Sequence, residues 1–312
     1  MRHVKGQAGV LDLLIELEPW AHPFRDPLRR LLADPSSAFD ETCRRNFRAA
    51  RREATIARFE AGVNVWHRWT RKFEDLRARF QASVEDDRLF AWFGFADFSG
   101  HCFKEGVDFA PRALPLGASF AAATFSKDAW FADVNFAARA DFRAAQFLAR
   151  SSFENSRFEG KADFGEAIFW EAARFSSIRA CKRISFRDVE FSADAWFRYS
   201  HFNAAFDFSK ARVGGEAGLG NCRYAMEADF SDAVFCDNAG FEQSVFSGGT
   251  SFARTSFARR ARFERSSFCE KPDFAGARFF GTSHFDQAQM PAADSPVATQ
   301  LKALERGLRE DA

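Results

Sequence analysis

The chain has 312 residues, with 44 Lys and Arg against 43 Asp and Glu, a net charge of +1, and 41 phenylalanines. Balanced charge excludes the one-signed field on which nucleic-acid binders and acidic-membrane binders depend. Six cysteines fit no disulfide framework, and the most apolar early stretch, Val10 to Leu17, carries Asp12 and Glu16 and is too short to cross a bilayer, so a soluble cytoplasmic protein is expected.

Residues 1–90 read as an α-helical N-terminal region. A first amphipathic helix near residues 8–18 is stopped by Pro19, a Pro-interrupted stretch runs to Pro35, and a longer helix runs from about Ser37 to Glu60, ended by Gly62. The long helix carries Arg44, Arg45, Arg48, Arg51, Arg52 and Arg58. Asp40, Glu41, Glu53 and Glu60 are interspersed, which favours a solvated helix face over a phosphate-binding patch. Phe73, Leu76 and Phe80 follow at helical spacing, and Trp92 stands one period before Phe103 on the repeat described next.

From residue 91 to 290 two interleaved tracks of large apolar residues repeat every eleven positions. One runs from Phe98 to Phe285, the other from Phe103 to Met290, and the tracks stand five and six residues apart. Phe fills 30 of the 36 slots, where its overall frequency would fill about 5, so the pattern is a true repeat. Five residues along an α-helix turn roughly 500°, which forms no single apolar stripe. Short strands explain the spacing instead, because residues i and i−2 share a face and the i−2 residue is usually Ala or Ser, as at Ala140, Ser151, Ala162 and Ala173.

The units Ala140-Asp141-Phe142, Ala162-Asp163-Phe164 and Ala228-Asp229-Phe230 resemble the A-[DN]-[LF]-x-x unit of the pentapeptide-repeat family, over about residues 95–290. The segment Val63 to Trp69 is similar to the Trp-Asn-x-Trp element found upstream of repeats in that family, with the residue order altered. The resemblance implies an all-β solenoid, a right-handed quadrilateral β-helix. The alternation of five and six departs from the strict family form and predicts 22 residues per coil, about nine coils in all.

Within that frame Asp97, Ser119, Asp141, Asp163, Ser185, Asp207, Asp229, Ser251 and Asp273 form one outward column. The family includes DNA mimics that present such carboxylates to topoisomerases, so an inhibitor or modulator of DNA gyrase is the alternative reading. Arg139, Arg143, Lys161 and Lys271 flank the column and neutralise it. Backbone capping by the short side chains is the simpler explanation. Asp232 and Asp237 precede Arg254 and Arg259 by 22 residues and predict cross-coil ion pairs.

Candidate contact residues are Trp130 and Trp196 beside the tracks, Gly214 and Gly215 in a disturbed coil over 211–224, and Arg254, Arg259 and Arg262. Cys181, His201 and Cys222 fall on successive coils, but only Cys222 takes an inward slot, so they do not converge on a metal. No nucleophile elbow, phosphate loop, dinucleotide fingerprint or metal-ligand pair occurs, and a Phe-filled interior leaves no substrate cavity. No enzyme and no cofactor is expected. The expectation is a non-catalytic scaffold meeting an unidentified protein partner through its outer walls. Residues 291–312 carry Val297, Leu301, Leu304 and Leu308 on one helical stripe, for capping the last coil or for pairing with a second copy through 297–308.

Overall fold

The computed structural model describes residues 2–33, 40–80, 89–90, 92–110, 114 and 116–291. The C-terminal stripe at 297–308 lies outside the described residues. The chain divides into two compact units, one of residues 1–99 and 111–119, the other of residues 100–110 and 120–312.

The first unit contains α1 (Arg2–Leu17), a 3-10 turn (Pro19–Phe24), α2 (Arg25–Ala33), α3 (Glu41–Glu60) and α4 (Val63–Phe80), then the strand pair Ala96–Asp97 and Ala118–Ser119. Helix α1 begins at Arg2, ahead of its apolar stripe. Its buried stripe is Val10, Leu11, Leu14 and Ile15. Asp40 caps α3 by accepting from the Cys43 N–H at 2.7 Å, and Gly62, at φ +97°, separates α3 from α4. Helix α4 buries Trp66, Trp69, Thr70 and Phe73, spaced as one helix face. Trp66 stacks on Phe98 at 5.9 Å, with Phe59 edge-on at 5.4 Å. Trp92, which falls in step with the second track, sits instead in a helical turn; its period match is coincidental.

A buried carboxylate organises this unit. Glu18, fully buried, accepts from the indole N–H groups of Trp20 and Trp69 and pairs with Arg58. Burial raises its pKa against the opposing pull of Arg58 and both indoles.

The second unit is a four-walled parallel β-solenoid with two-residue strands, and the fold as a whole has about eight turns of 22 residues. Wall I holds Ala140–Asp141 through Thr250–Ser251. Wall II runs from Cys102–Phe103 to Arg278–Phe279, wall III from Val107–Asp108 to Ser283–His284, and wall IV from Asn135–Phe136 to Ser267–Phe268. Every pairing joins residue i to i+22, as in Ala140↔Ala162 and Phe147↔Phe169, so outward side chains form straight ladders.

Inside, rings stack along each wall and meet edge to face across corners. Phe142 lies 4.7 Å from Phe164 at an interplanar angle of 1°, and 5.3 Å from Phe153 at 89°. Both arrangements suit the ring quadrupole. After most of the described first-track rings a tight turn closes with a bond such as Ala145 N–H to Phe142 C=O, 3.1 Å. The third residue of that turn has positive φ, and at fifteen positions it is not glycine. Asp133, Asn155, Asp188, Asn221 and Asp232 are among them, the residue types that tolerate this conformation best.

The coil that loses Phe at Val213 and Leu219 is not narrowed but refilled. Phe206 occupies a slot that holds Ala at residues 140, 162 and 228, and lies 5.9 Å from Phe186 and 5.5 Å from Phe230. Phe208 is thereby displaced sideways into the space above Val213, parallel to Phe191 (6.2 Å, 11°) and Phe235 (6.1 Å, 5°). Ile184, also in an Ala slot and fully buried, adds bulk four residues after Ala180.

Candidate functional site: the outer walls

Wall I is a neutralised lattice. Each outward Asp or Ser accepts a backbone N–H two residues on, as Asp163 does from Gly165 at 3.0 Å and Asp229 from Ser231 at 2.8 Å. Asp141 is gripped by Arg139 at 2.7 Å and Arg143 at 2.8 Å, and Asp207 by Arg183 at 2.7 Å. Burial pushes the Asp141 and Asp207 carboxyls up, but the hydrogen bonds and neighbouring guanidinium charges outweigh it and hold both below the ordinary value. A groove of about 470 Å³ on this wall is lined by Arg139, Arg143, Lys161, Arg183 and Arg187 together with Asp163, Glu166 and Asp188; its surplus of cations is offset by Asp141, which holds Arg139 and Arg143, and by Asp207, which holds Arg183.

Wall III carries Trp130, Trp196 and Arg262 as outward residues of its strands. Both tryptophans are half-buried by their neighbours. The Arg150 guanidinium lies 5.9 Å from the Trp130 ring and is anchored by Asp128 at 2.6 Å. Trp196 lies over Gly218, where a Cβ would come within 2.5 Å of its Cε3, and Arg198 stands 5.2 Å from its ring. Glu216 then joins Arg198 (3.6 Å) to Arg262 (3.1 Å), so Trp196 and Arg262, three coils apart, belong to one ion-paired patch.

The other candidates fall elsewhere. Gly214 and Gly215 form the corner between walls II and III, where a Cβ would lie 2.5 Å from the Ser192 carbonyl oxygen and 2.4 Å from Asp194 Oδ1. The chain's own preceding coil therefore accounts for both glycines. Arg254 makes a two-pronged bond to Asp232, 2.7 Å on each arm, and Arg259 lies 3.7 Å from Asp237. Both pairs have the expected 22-residue register.

Wall II carries an apolar pair that is not among the candidate contact residues. Leu148 and Trp170 occupy one column on adjacent coils and are 41% and 55% exposed, and neither strand end carries a charge between them. Gln146 and Ile168 form the neighbouring column. Trp170 follows a second-track ring and projects at a corner, whereas Trp130 and Trp196 precede first-track rings and lie within strands; this difference of place relative to the ring sets their exposure.

On wall IV the outward residues of four successive coils are Arg157, Arg179, His201 and Arg223. Arg157 pairs with Glu159 at 2.9 Å. Cys222 belongs to an internal ladder: its thiol donates to the Phe197 carbonyl at 3.1 Å, as the Ser200 and Ser244 hydroxyls do to Phe175 and Leu219, each at 2.9 Å. Burial pushes the thiol up to about 12, far from a thiolate ligand or nucleophile. Among the described residues no group of three His, Cys, Asp or Glu is placed to hold a metal ion, and no helix is long and apolar enough to cross a membrane.

Comparison with family models, with curated proteins and with solved structures gives no match to this chain.

Proposed function

We propose that this chain is a non-catalytic interaction scaffold of the pentapeptide-repeat type, which binds a protein partner through wall II around Leu148, Ile168 and Trp170. The observation that carries the reading is the contrast between walls. Charges on wall I are compensated and the aromatic residues of wall III are covered, while Leu148 and Trp170 leave adjacent apolar side chains in water. Exposed aromatic anchors beside aliphatic residues are the usual centre of a protein interface. The filled interior supports a role confined to the surface. A cytoplasmic location belongs to the same reading, since Cys102 and Cys269 are free and exposed, as suits a reducing compartment.

A Leu148→Glu, Trp170→Glu double variant tests it. Both side chains are exposed, so the variant should fold, and a partner captured by the intact chain should be lost; capture at undiminished yield would refute the assignment of the wall. The gyrase-modulating alternative requires a continuous negative face, and the arginines on wall I weigh against it. Dose-dependent inhibition in a supercoiling assay would reverse this ranking.

A further inference from the structure

Helical geometry divides the arginine run of α3 into separate jobs. Arg58 is committed to Glu18, and Arg52 donates to the Ser99 carbonyl at 3.2 Å. Arg44, Arg48 and Arg51, spaced four and three apart, share one face. That face borders a cleft of about 350 Å³ whose described lining is completed by Leu28, Leu31, Phe47 and Trp92. The volume lies within the range of small-molecule sites, about 300–1,000 Å³.

The lining is amphipathic in a defined sense. Leu28 is fully buried, and Phe47 is fixed by Trp20, Phe24 and Phe93 at 5.1, 5.3 and 6.0 Å, so the apolar part is a rigid floor. Arg44 and Arg48 are exposed and stand at the rim. No carboxylate is among the described lining residues. Arg48 makes no ion pair or hydrogen bond among the described residues, in contrast to the matched arginines of wall I. Arg51 spends its two terminal nitrogens on Asp97 (2.9 Å) and the Trp92 carbonyl (3.2 Å), and its buried Nε has no acceptor.

We infer that this cleft binds a small amphiphilic anion, an apolar body of medium length ending in a carboxylate, with the headgroup at Arg48 and the body on Leu28, Phe47 and Trp92. Charge on one side and hydrocarbon on the other are both needed. A free inorganic anion lacks the body, and a neutral alcohol lacks the headgroup.

The test is calorimetric titration of the full chain with octanoate, with octanol and acetate as separate arms. One saturable site per chain is expected for octanoate, with octanol and acetate each weaker by about tenfold or more. Arg48→Glu should weaken octanoate by at least about tenfold, and Arg48→Lys by less, since the charge is kept but the guanidinium fork is lost. Arg45→Glu, on the same helix but outside the cleft, should leave it unchanged. Arg48 is exposed and makes no ion pair or hydrogen bond among the described residues, so its replacement leaves the fold intact, and circular dichroism verifies this. The inference is overturned by the absence of saturable binding, by octanol binding as well as octanoate, or by equal affinity in a folded Arg48→Glu variant.

Discussion

Restoring the repeat at Val213 should destabilise the protein. By sequence, Val213→Phe returns a consensus residue to the second track, between Phe191 and Phe235, and consensus logic expects a gain. The packing says otherwise. Phe208 already lies parallel to both rings, at 6.2 and 6.1 Å, so a new ring would compete for occupied space. Overpacking of this kind costs about 1–3 kcal/mol. The cause can be isolated, because Phe206 is what displaces Phe208 from its own column. Phe206→Ala together with Val213→Phe should let Phe208 return between Phe186 and Phe230. Regular coils hold stacked rings as close as Phe125–Phe147 and Phe120–Phe142, at 4.6 and 4.8 Å, and the double variant should recreate that ladder. Phe206→Ala alone should cost about 3–5 kcal/mol. The pair should be at least about 1 kcal/mol more stable than the sum of the single changes, a favourable coupling between touching sites. Urea denaturation of the four proteins, with the slope checked for constancy, measures this. A stabilising Val213→Phe, or strict additivity, would refute the refilled-coil account.

The remaining predictions concern the stack, the thiols and the charges. Phe164→Ala, in a regular coil with rings at 4.7 and 4.9 Å on either side, should cost about 3–5 kcal/mol by chemical denaturation, because flanking coils cannot close the void. Native-state alkylation at pH 8 should label Cys102 and Cys269 and spare Cys222, whose thiol is buried and pushed up to about 12; mass spectrometry reads the pattern, and early labelling of Cys222 would count against it. Asp141 and Asp207 have folded pKa values below the ordinary carboxylate value, so their stabilisation is complete above about pH 4 and is lost as pH falls through the folded values. Melting curves between pH 6 and 2 should therefore be flatter for Asp141→Asn than for the unaltered chain. Arg179 sits in register between Arg157 and His201, and Arg179→Glu should gain about 0.2–1 kcal/mol by removing a like-charge neighbour.

Periodicity made the solenoid legible because a strand's two faces alternate strictly, so the positions of Phe, of the small i−2 residues and of the outward Asp and Ser column all follow from counting. The 22-residue step also carried the pairs Asp232–Arg254 and Asp237–Arg259. What counting could not show was any event that breaks the count. Phe206 in an Ala slot looks like an anomaly in sequence, and only the ring geometry shows that it moves Phe208 and makes Val213 tolerable. The value of a tryptophan as a contact residue was equally hidden. Trp130 is sheltered by Arg150 of the next coil and Trp196 by Arg198 of its own coil, whereas Trp170 is open. In the helical region the arginine run read as a uniform mixed-charge face, because its division depends on tertiary partners: Glu18, Ser99 and the cleft beside Phe47.

The outward ladders advance one coil, about 4.8 Å, for every 22 residues. Spin labels at Gln146→Cys and Arg278→Cys, six coils apart on wall II, test that advance directly. The background is a variant in which the native cysteines are replaced, with Cys222→Ser expected to be benign because Ser200 and Ser244 fill the same slot on flanking coils. Pulsed electron–electron resonance should give a single distance of about 29 Å, six steps of the strand spacing, broadened by the label arms. A distribution centred beyond about 45 Å would contradict the 22-residue coil, since six stacked strands cannot span it.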